Sequence, residues 1–181
     1  LNRVDADLGK DTDVFASLNY VGNTMDFNNG TSASPRWGTA DMYLVTPVVG
    51  LSHGLSSSVD LSGQVAYSLW DNEASAEQNI FWEPEAHTTW RMNDQQTVMA
   101  GGDYRWNEFE RSKVPTHDQD AHGIFLQHEW NPQKEFSTMA ALRYDKVEGV
   151  DAAWSPKLSA MYLPWDAVRA RASIGRGFHA P

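Results

Sequence analysis

The densest group of side chains capable of chemistry is the segment His117-Asp118-Gln119-Asp120-Ala121-His122. In an extended strand alternate residues share a face, so Asp118, Asp120 and His122 are expected to project together, with His117 in the loop before them. Imidazole nitrogens and carboxylate oxygens are ligands for Zn²⁺, Ni²⁺ or Cu²⁺. Because no matching ligands can be placed beside this group, a solvated loop is the favoured interpretation and a metal site at these four residues the weaker one.

Other signatures of chemistry are missing from the sequence. There is no Cys, which excludes disulfides, thiolate metal sites and cysteine nucleophiles. Neither a Gly-x-Ser-x-Gly elbow nor a glycine-rich phosphate loop opening a helix occurs. The segment Asp71-Asn72-Glu73 lacks the Gly and the spaced oxygen ligands of a calcium loop. We therefore expect no catalytic residue and no cofactor.

Composition restricts the class of protein. Of 181 residues 24 are acidic and 14 basic, and the resulting formal charge of −10 makes a nucleic-acid binder improbable. Mean hydropathy is −0.53, yet 12% of the residues are aromatic and 8 are Trp. No stretch approaches the roughly 18 apolar residues of a membrane helix. A membrane barrel remains compatible with these values, because its alternating strands average out as hydrophilic.

Apolar residues recur at every second position, which predicts strands. In the clearest case Val59, Leu61, Val65, Tyr67 and Leu69 point one way, and the intervening residues 60, 62, 64, 66 and 68 point the other. The same alternation recurs in segments that begin at Ile80, Val98, Phe136, Trp154 and Val168. The sequence predicts an all-β fold of about ten antiparallel strands in an up-and-down order.

Short turns alternate with longer polar connections, which are predicted at 23–39, 71–78, 110–118 and 148–151. Aromatic residues gather near strand ends, and many strands have the roughly 9 to 11 residues needed for a tilted bilayer crossing. Outer-membrane barrels combine these features. They favour such a barrel over a soluble β-sandwich binding module, which would bury Trp82, Trp90 and Trp154 in a core.

The C-terminal half carries a more specific resemblance. Five blocks occur in a fixed order, namely 101–106, 123–130, 141–145, 155–158 with Tyr162, and 171–181. In order and spacing they resemble the barrel of TonB-dependent outer-membrane receptors. The resemblance is specific over 100–181 and rests on strand pattern alone over 1–99. His179 stands where these receptors usually carry Arg, which puts any contact of that Arg in doubt.

The resemblance implies a location in the bacterial outer membrane and a barrel of about 22 strands around a plug domain. Nothing in 1–181 resembles the plug. We therefore expect the whole chain to be about ten strands of a larger barrel, without the N-terminal plug and the C-terminal strands. A complete ten-stranded barrel is the alternative architecture.

Family membership would also imply transport without catalysis. The expected cargo is a scarce nutrient such as a ferric siderophore, cobalamin or haem, that is, a metal-chelate or cobalamin-like ligand. The expected partners are outer-membrane lipid and lipopolysaccharide, the receptor's own plug, and the TonB-ExbB-ExbD energy-coupling complex acting through that plug. An outer-membrane protease or lipase with ten strands is the enzymatic alternative, and His117 with Asp120 is its only visible acid and base pair.

Two further sets of residues follow from the barrel interpretation. If the apolar faces meet lipid, a set of charges points into the lumen, where the resemblance implies salt bridges to the plug: Arg91, Asp103, Arg105, Glu129, Arg143, Asp145, Lys157, Arg169 and Arg171. Loops on a rigid scaffold commonly carry binding, so the candidates for ligand contact in the extracellular loops are Asp26, Arg36, Trp37, Glu110 and Arg111.

Overall fold

The described residues form one antiparallel sheet. The computed structural model describes residues 2–28, 30–31, 33–165 and 168–177, and His179 of the sequence analysis lies outside them. Ten strands pair in chain order, as predicted: β1 Asn2–Asp7, β2 Thr12–Asn28, β3 Trp37–Gly54, β4 Val59–Asn72, β5 Glu77–Asn93, β6 Gln96–Arg111, β7 Val114–Gln133, β8 Phe136–Val147, β9 Ala153–Trp165 and β10 Val168–Gly175. Within these ranges β1 and β10 are the sheet edges. The described residues contain no helix long and apolar enough to cross a membrane.

The strands are longer than the sequence analysis predicted. Residues 23–28 and 37–39 belong to β2 and β3, and the predicted connection at 110–118 shrinks to the turn at Ser112 and Lys113. Lys113 takes a positive φ of 68°, which lets the chain reverse tightly. The prediction of long loops at these places was wrong, because ladder hydrogen bonds use the backbone and tolerate polar side chains at strand ends.

The pairing register confirms that the apolar residues share one face. One row across the sheet pairs Leu51 with Gly63, Gly63 with Ala86 and Ala86 with Gly102. On β7 Ile124 and Leu126 are 59% and 54% exposed, whereas Phe125 between them is only partly exposed. Side chains spread apart on the convex side of a curved sheet and crowd on the concave side. The apolar face is therefore convex, and the polar face is concave.

Aromatic side chains bracket the convex face. Trp82 and Trp90 lie eight residues apart on β5, and Trp154 and Tyr162 have the same spacing on β9. Eight residues span about 26 Å along a strand at roughly 3.3 Å per residue, and a tilt of about 40° reduces this to about 20 Å across the membrane, somewhat less than an apolar band of about 25 Å. Beyond this band β7 continues from Ala121 back to Val114. We call the end of the sheet that contains this extension the overhang end. The opposite end, which has short connections such as Asp94-Gln95, is called the turn end.

The described part of the chain has almost no hydrophobic core. Ala40 and Val147 are its only buried hydrophobic residues. Trp82, Trp90 and Trp154 are 46%, 47% and 55% exposed on the convex face. A two-layer soluble sandwich would bury such residues between its sheets. The single-layer sheet therefore excludes the β-sandwich alternative.

Candidate functional site

Charged side chains gather on the concave face of the sheet. Register places eight of the nine predicted charges there: Arg91, Asp103, Arg105, Glu129, Arg143, Asp145, Lys157 and Arg171. The ninth, Arg169, lies at a register shift between Val168 and Ala170. We call this face the charged wall.

Arg143 is the centre of an ion-pair group that spans three strands. Its Nη2 atom lies 2.7 Å from both carboxylate oxygens of Asp103 on β6, and its Nε lies 2.7 Å from Oδ1 of Asp145. Gly123 on β7 pairs in register with Asp103 on one side and with Asp145 on the other. The guanidinium therefore crosses β7 directly over Gly123.

Gly123 leaves the space that this crossing needs. A Cβ atom built at this position would lie 2.2 Å from Arg143 Nη2 and 2.8 Å from Asp103 Oδ2. Any side chain would push the guanidinium away from Asp103. Sequence reasoning missed this role, although a glycine between rows of alternating charges was a visible signal.

Further ion pairs extend the charged wall on β4 to β6. Arg105 pairs with Glu83, and Arg91 pairs with Asp60, a partner that sequence reasoning had not assigned. Glu85 pairs in register with Asp103 but forms no ion pair within the described ranges. Glu83, Glu85, Asp103 and Arg105 border a cavity of about 510 Å³. Its lining carries Glu83, Glu85, Asp103 and Asp145 against Arg105, Arg143 and Lys146, so carboxylates are in excess.

On β9 and β10 the charged side chains of the concave face are basic. Lys157 and Arg171 line a second concave cavity of about 400 Å³, together with Glu129 on β7. Glu129 accepts a hydrogen bond of 2.8 Å from Gln127 Nε2. Neither Lys157 nor Arg171 has a carboxylate within ion-pair distance in the described part of the chain. The charged wall is thus acidic near β5 and basic near β10.

A carboxylate pair stands at the turn end, outside the apolar band. Asp7 and Asp13 pair in register across the turn between β1 and β2. The hydrogen bond with Asp7, together with desolvation and repulsion, raises the pKa of Asp13. A carboxyl whose folded-state pKa is raised favours the folded hairpin at acidic pH, and this contribution is lost as the pH rises through the raised pKa.

Toward the overhang end, two adjacent register rows of the concave face contain no Asp, Glu, Lys or Arg. One register row joins Val21, Leu44, Trp70, Asn79, Phe109 and His117. The adjacent row contains Asn19, Thr46, Ser68, Phe81, Asn107 and Gln119. Neither row includes Asp, Glu, Lys or Arg. Ion pairs bound the zone, with Glu77 to Arg111 at 3.0 Å on the overhang side and Glu83 to Arg105 on the other.

The five predicted loop residues are scattered over the overhang end. Asp26 lies in β2, Trp37 begins β3 and is 72% exposed, and the Arg36 backbone N–H donates to Asn28 Oδ1 at 3.0 Å. Glu110 accepts a hydrogen bond from Thr116, and Arg111 pairs with Glu77. The structure does not bring the five together, so they do not form one described site.

The predicted metal-ligating group is also divided. His117 lies within β7, not in a loop, and pairs with Phe109 on the concave face. Asp118, Asp120 and His122 pair with Glu108, Trp106 and Tyr104 on the opposite face, and Tyr104 donates a hydrogen bond to Asp120. In the described ranges no three His, Asp or Glu side chains converge in a way that could hold a metal ion.

Comparison with known families identifies a match over nearly the whole chain. Residues 2–181 match the family model described as TonB dependent receptor-like, beta-barrel. No curated protein matches the sequence.

Solved structures share the architecture at low sequence identity. The FrpB iron transporter of Neisseria meningitidis has a TM-score of 0.75 at 12% identity over 94% of this chain and 35% of that protein. The siderophore receptor PirA of Pseudomonas aeruginosa has a TM-score of 0.70 at 13% identity over 99% and 39% of the respective chains. A loop-deletion mutant of Vibrio cholerae OmpT, an outer membrane protein, has a TM-score of 0.66 at 17% identity over 88% and 51%. The chain thus spans about half or less of each protein.

Proposed function

Because the chain belongs to the TonB-dependent receptor β-barrel family and lies in the bacterial outer membrane, we propose that it is part of the wall of a receptor that imports a scarce nutrient. The match over residues 2–181 is the observation that carries this proposal. A ferric siderophore is the favoured class of cargo, supported by the likeness to the siderophore receptor PirA and, for iron, to the iron transporter FrpB, and haem and cobalamin are the other candidates. The chain contributes no catalytic step.

The chain is proposed to supply about ten strands of a larger barrel. This reading is supported by the share of PirA and FrpB that it covers, 39% and 35%. The convex apolar face would contact outer-membrane lipid and lipopolysaccharide, and the concave face would line the lumen. In such barrels the short turns are periplasmic, so the overhang end would be extracellular.

The charged wall is proposed to hold the plug domain. Asp103 and Asp145 share one cation, Arg143, whereas Glu85 faces the lumen beside them without an ion pair in the described residues. Lys157 and Arg171 present the opposite charge near β10. A plug with basic residues toward β5 and acidic residues toward β10 would complement this wall. Its ion pairs would break when the TonB-ExbB-ExbD complex pulls on the plug.

TonB-dependent uptake tests the transport function. The full-length protein would be produced in the outer membranes of paired strains with and without TonB, both lacking their own iron receptors. Accumulation of ⁵⁵Fe from ferric siderophores and from haem, and of ⁵⁷Co from cobalamin, would then be measured. We expect at least one of these compounds to accumulate only when TonB and the receptor are both present. Accumulation of none of them, or equal accumulation without TonB, would contradict the proposal.

A further inference from the structure

We propose that Lys157, Ser159, Arg171 and Ser173 form a binding site for an oxyanion, that is, a carboxylate or phosphate group, inside the barrel. We call these four residues the cation–hydroxyl site. The inference rests on the proposed function and deepens it, because it assigns one class of ligand to the basic part of the charged wall. The oxyanion can belong to a side chain of the plug or to a small molecule in the lumen, and the experiment distinguishes these two sources.

The four residues form one group on β9 and β10. Ser159 pairs in register with Ser173, and Lys157 pairs with Gly175. Arg171 lies two residues before Ser173 on the same strand, so the pair of serines stands between the two basic residues. All four members of the site line the concave cavity of about 400 Å³. Ser159 is partly exposed and the other three are exposed, so a ligand can reach each of them.

Gly175 leaves space for the Lys157 side chain to lean toward β10. A Cβ atom built on Gly175 would lie 3.3 Å from both Cβ and Cγ of Lys157. The register partners of Lys157 on its two sides, Ala141 and Gly175, carry no charge. Within the described ranges its ammonium group therefore has no carboxylate beside it, and since a strand is described on each side, the sheet edge is not the reason.

The two hydroxyl groups of the site are available as donors. On the same concave face the register pair Ser52 and Ser62 forms a hydroxyl–hydroxyl hydrogen bond of 3.0 Å. Ser159 and Ser173 are paired across two strands in the same way, but they form no such bond in the part of the chain that the structure describes. Each O–H can therefore donate to an acceptor that comes from outside the sheet.

The set of donors suits an oxyanion. An ionised carboxylate only accepts hydrogen bonds, at about four lone-pair positions, and an ammonium group, a guanidinium group and two hydroxyls supply the donors. Hydrogen bonds between charged groups are roughly twice as strong as neutral ones. Glu129 is the one carboxylate among the described residues that line the cavity, and it already accepts a hydrogen bond from Gln127. A cationic ligand would instead meet two like charges.

The depth of the site limits the source of the oxyanion. Leu158 lies halfway between Trp154 and Tyr162 on β9, so Lys157 next to it lies near the middle of the apolar band, on the opposite face of the sheet. In the proposed barrel this position is reached only from the lumen, and lipid headgroups lie at the ends of the band. The two possible sources are therefore a carboxylate of the plug and an anionic molecule that passes through the lumen.

Succinate and succinamide are the probes, because they have similar size and differ in charge. Binding of each to the purified full-length protein in detergent would be measured by saturation-transfer NMR. If the source is a molecule in the lumen, succinate should bind at least about tenfold more tightly than succinamide. Lys157→Gln with Arg171→Gln should then weaken succinate by about tenfold, and Ser159→Ala with Ser173→Ala by about threefold. Binding of succinamide should change little in both variants.

A plug carboxylate in the site gives a different result. The native protein should then show no preference for succinate, because the site is already filled. Lys157→Gln with Arg171→Gln should loosen the plug, so that chymotrypsin cleaves it several times faster than in the native protein. This protease does not cleave at Lys or Arg, so the substitutions themselves remove no cleavage site.

Matched variants keep the test decisive. Lys10→Gln with Lys134→Gln removes the same charge from two exposed turns and should change neither measurement. If the double variant at 157 and 171 fails to fold, Ser159→Asp replaces it, because a carboxylate within the site should repel succinate or a plug carboxylate alike.

Two outcomes would overturn the inference. One is a preference for succinate that survives loss of both cations, and the other is no preference for succinate together with unchanged cleavage of the plug. TonB-dependent uptake is measured separately and does not depend on either outcome, so the two proposals can fail separately.

Discussion

Gly123 is needed at its position because it has no side chain. Arg143 reaches from β8 across β7 to Asp103, and the path of its guanidinium passes over Gly123. The hydrogen bond to Asp145 lies on the arginine's own strand and does not depend on this path. The group therefore has one local contact and one contact that needs a glycine.

Gly123→Ala tests this dependence. The added Cβ would displace the guanidinium from Asp103 and leave this carboxylate beside Glu85 without a cation. Since Arg143 and Asp103 are both partly exposed, we expect the free energy of unfolding to fall by a value on the order of 1 kcal/mol. The measurement is denaturant unfolding of the full-length protein in detergent, at low and high salt.

Two comparisons isolate the cause. Gly54→Ala should be close to neutral, because a Cβ there meets its nearest atom at an ordinary 3.5 Å. In an Arg143→Met background Gly123→Ala should cost little, since the displaced ion pair is already gone. A cost that is as large in this background as in the native chain would show that the strain is steric and not electrostatic.

At the scale of a strand, the two faces of β7 have different requirements. Leu126 lies on the convex face between Ala100 and Leu142, whereas the next residue, Gln127, lies on the concave face and donates to Glu129. One step along the chain therefore moves a side chain from the proposed lipid surface to the proposed lumen.

Leu126→Arg and Gln127→Arg form a matched pair of variants. We expect Leu126→Arg to cost about 2–4 kcal/mol, because it places a charge near the middle of the apolar band. Gln127→Arg should change stability by less than about 1 kcal/mol, since it adds a charge to a face that already carries several. The free energy of unfolding of both variants would be measured with guanidinium chloride, on protein folded into phospholipid vesicles. Similar losses for the two variants would refute the assignment of the convex face to lipid.

At the scale of the molecule, the two sheet edges distinguish a part of a larger barrel from a closed ten-stranded one. In the described residues β1 pairs only with β2, and β10 pairs only with β9. A closed ten-stranded barrel would bring β1 and β10 into register, whereas the proposed larger barrel separates them by further strands.

Disulfide trapping decides between these architectures, and the sequence contains no Cys that would interfere. Ser17→Cys with Val48→Cys joins positions paired between β2 and β3 and should cross-link on oxidation. Arg3→Cys or Asp5→Cys combined with Ser173→Cys should not, because Cα atoms more than about 7 Å apart cannot be bridged. Cross-linking of the edge pairs in the full-length protein would establish the closed barrel instead.

The sequence alone determined the all-β class, the strand order and the membership of each face. These follow from a side-chain period of two, which is a local property of every strand. Three features depended on the tertiary structure: the conversion of polar connections into strand overhangs, the passage of Arg143 over Gly123, and the two adjacent register rows without Asp, Glu, Lys or Arg toward the overhang end. Each requires the register between strands, which is set by hydrogen bonds joining residues far apart in the chain.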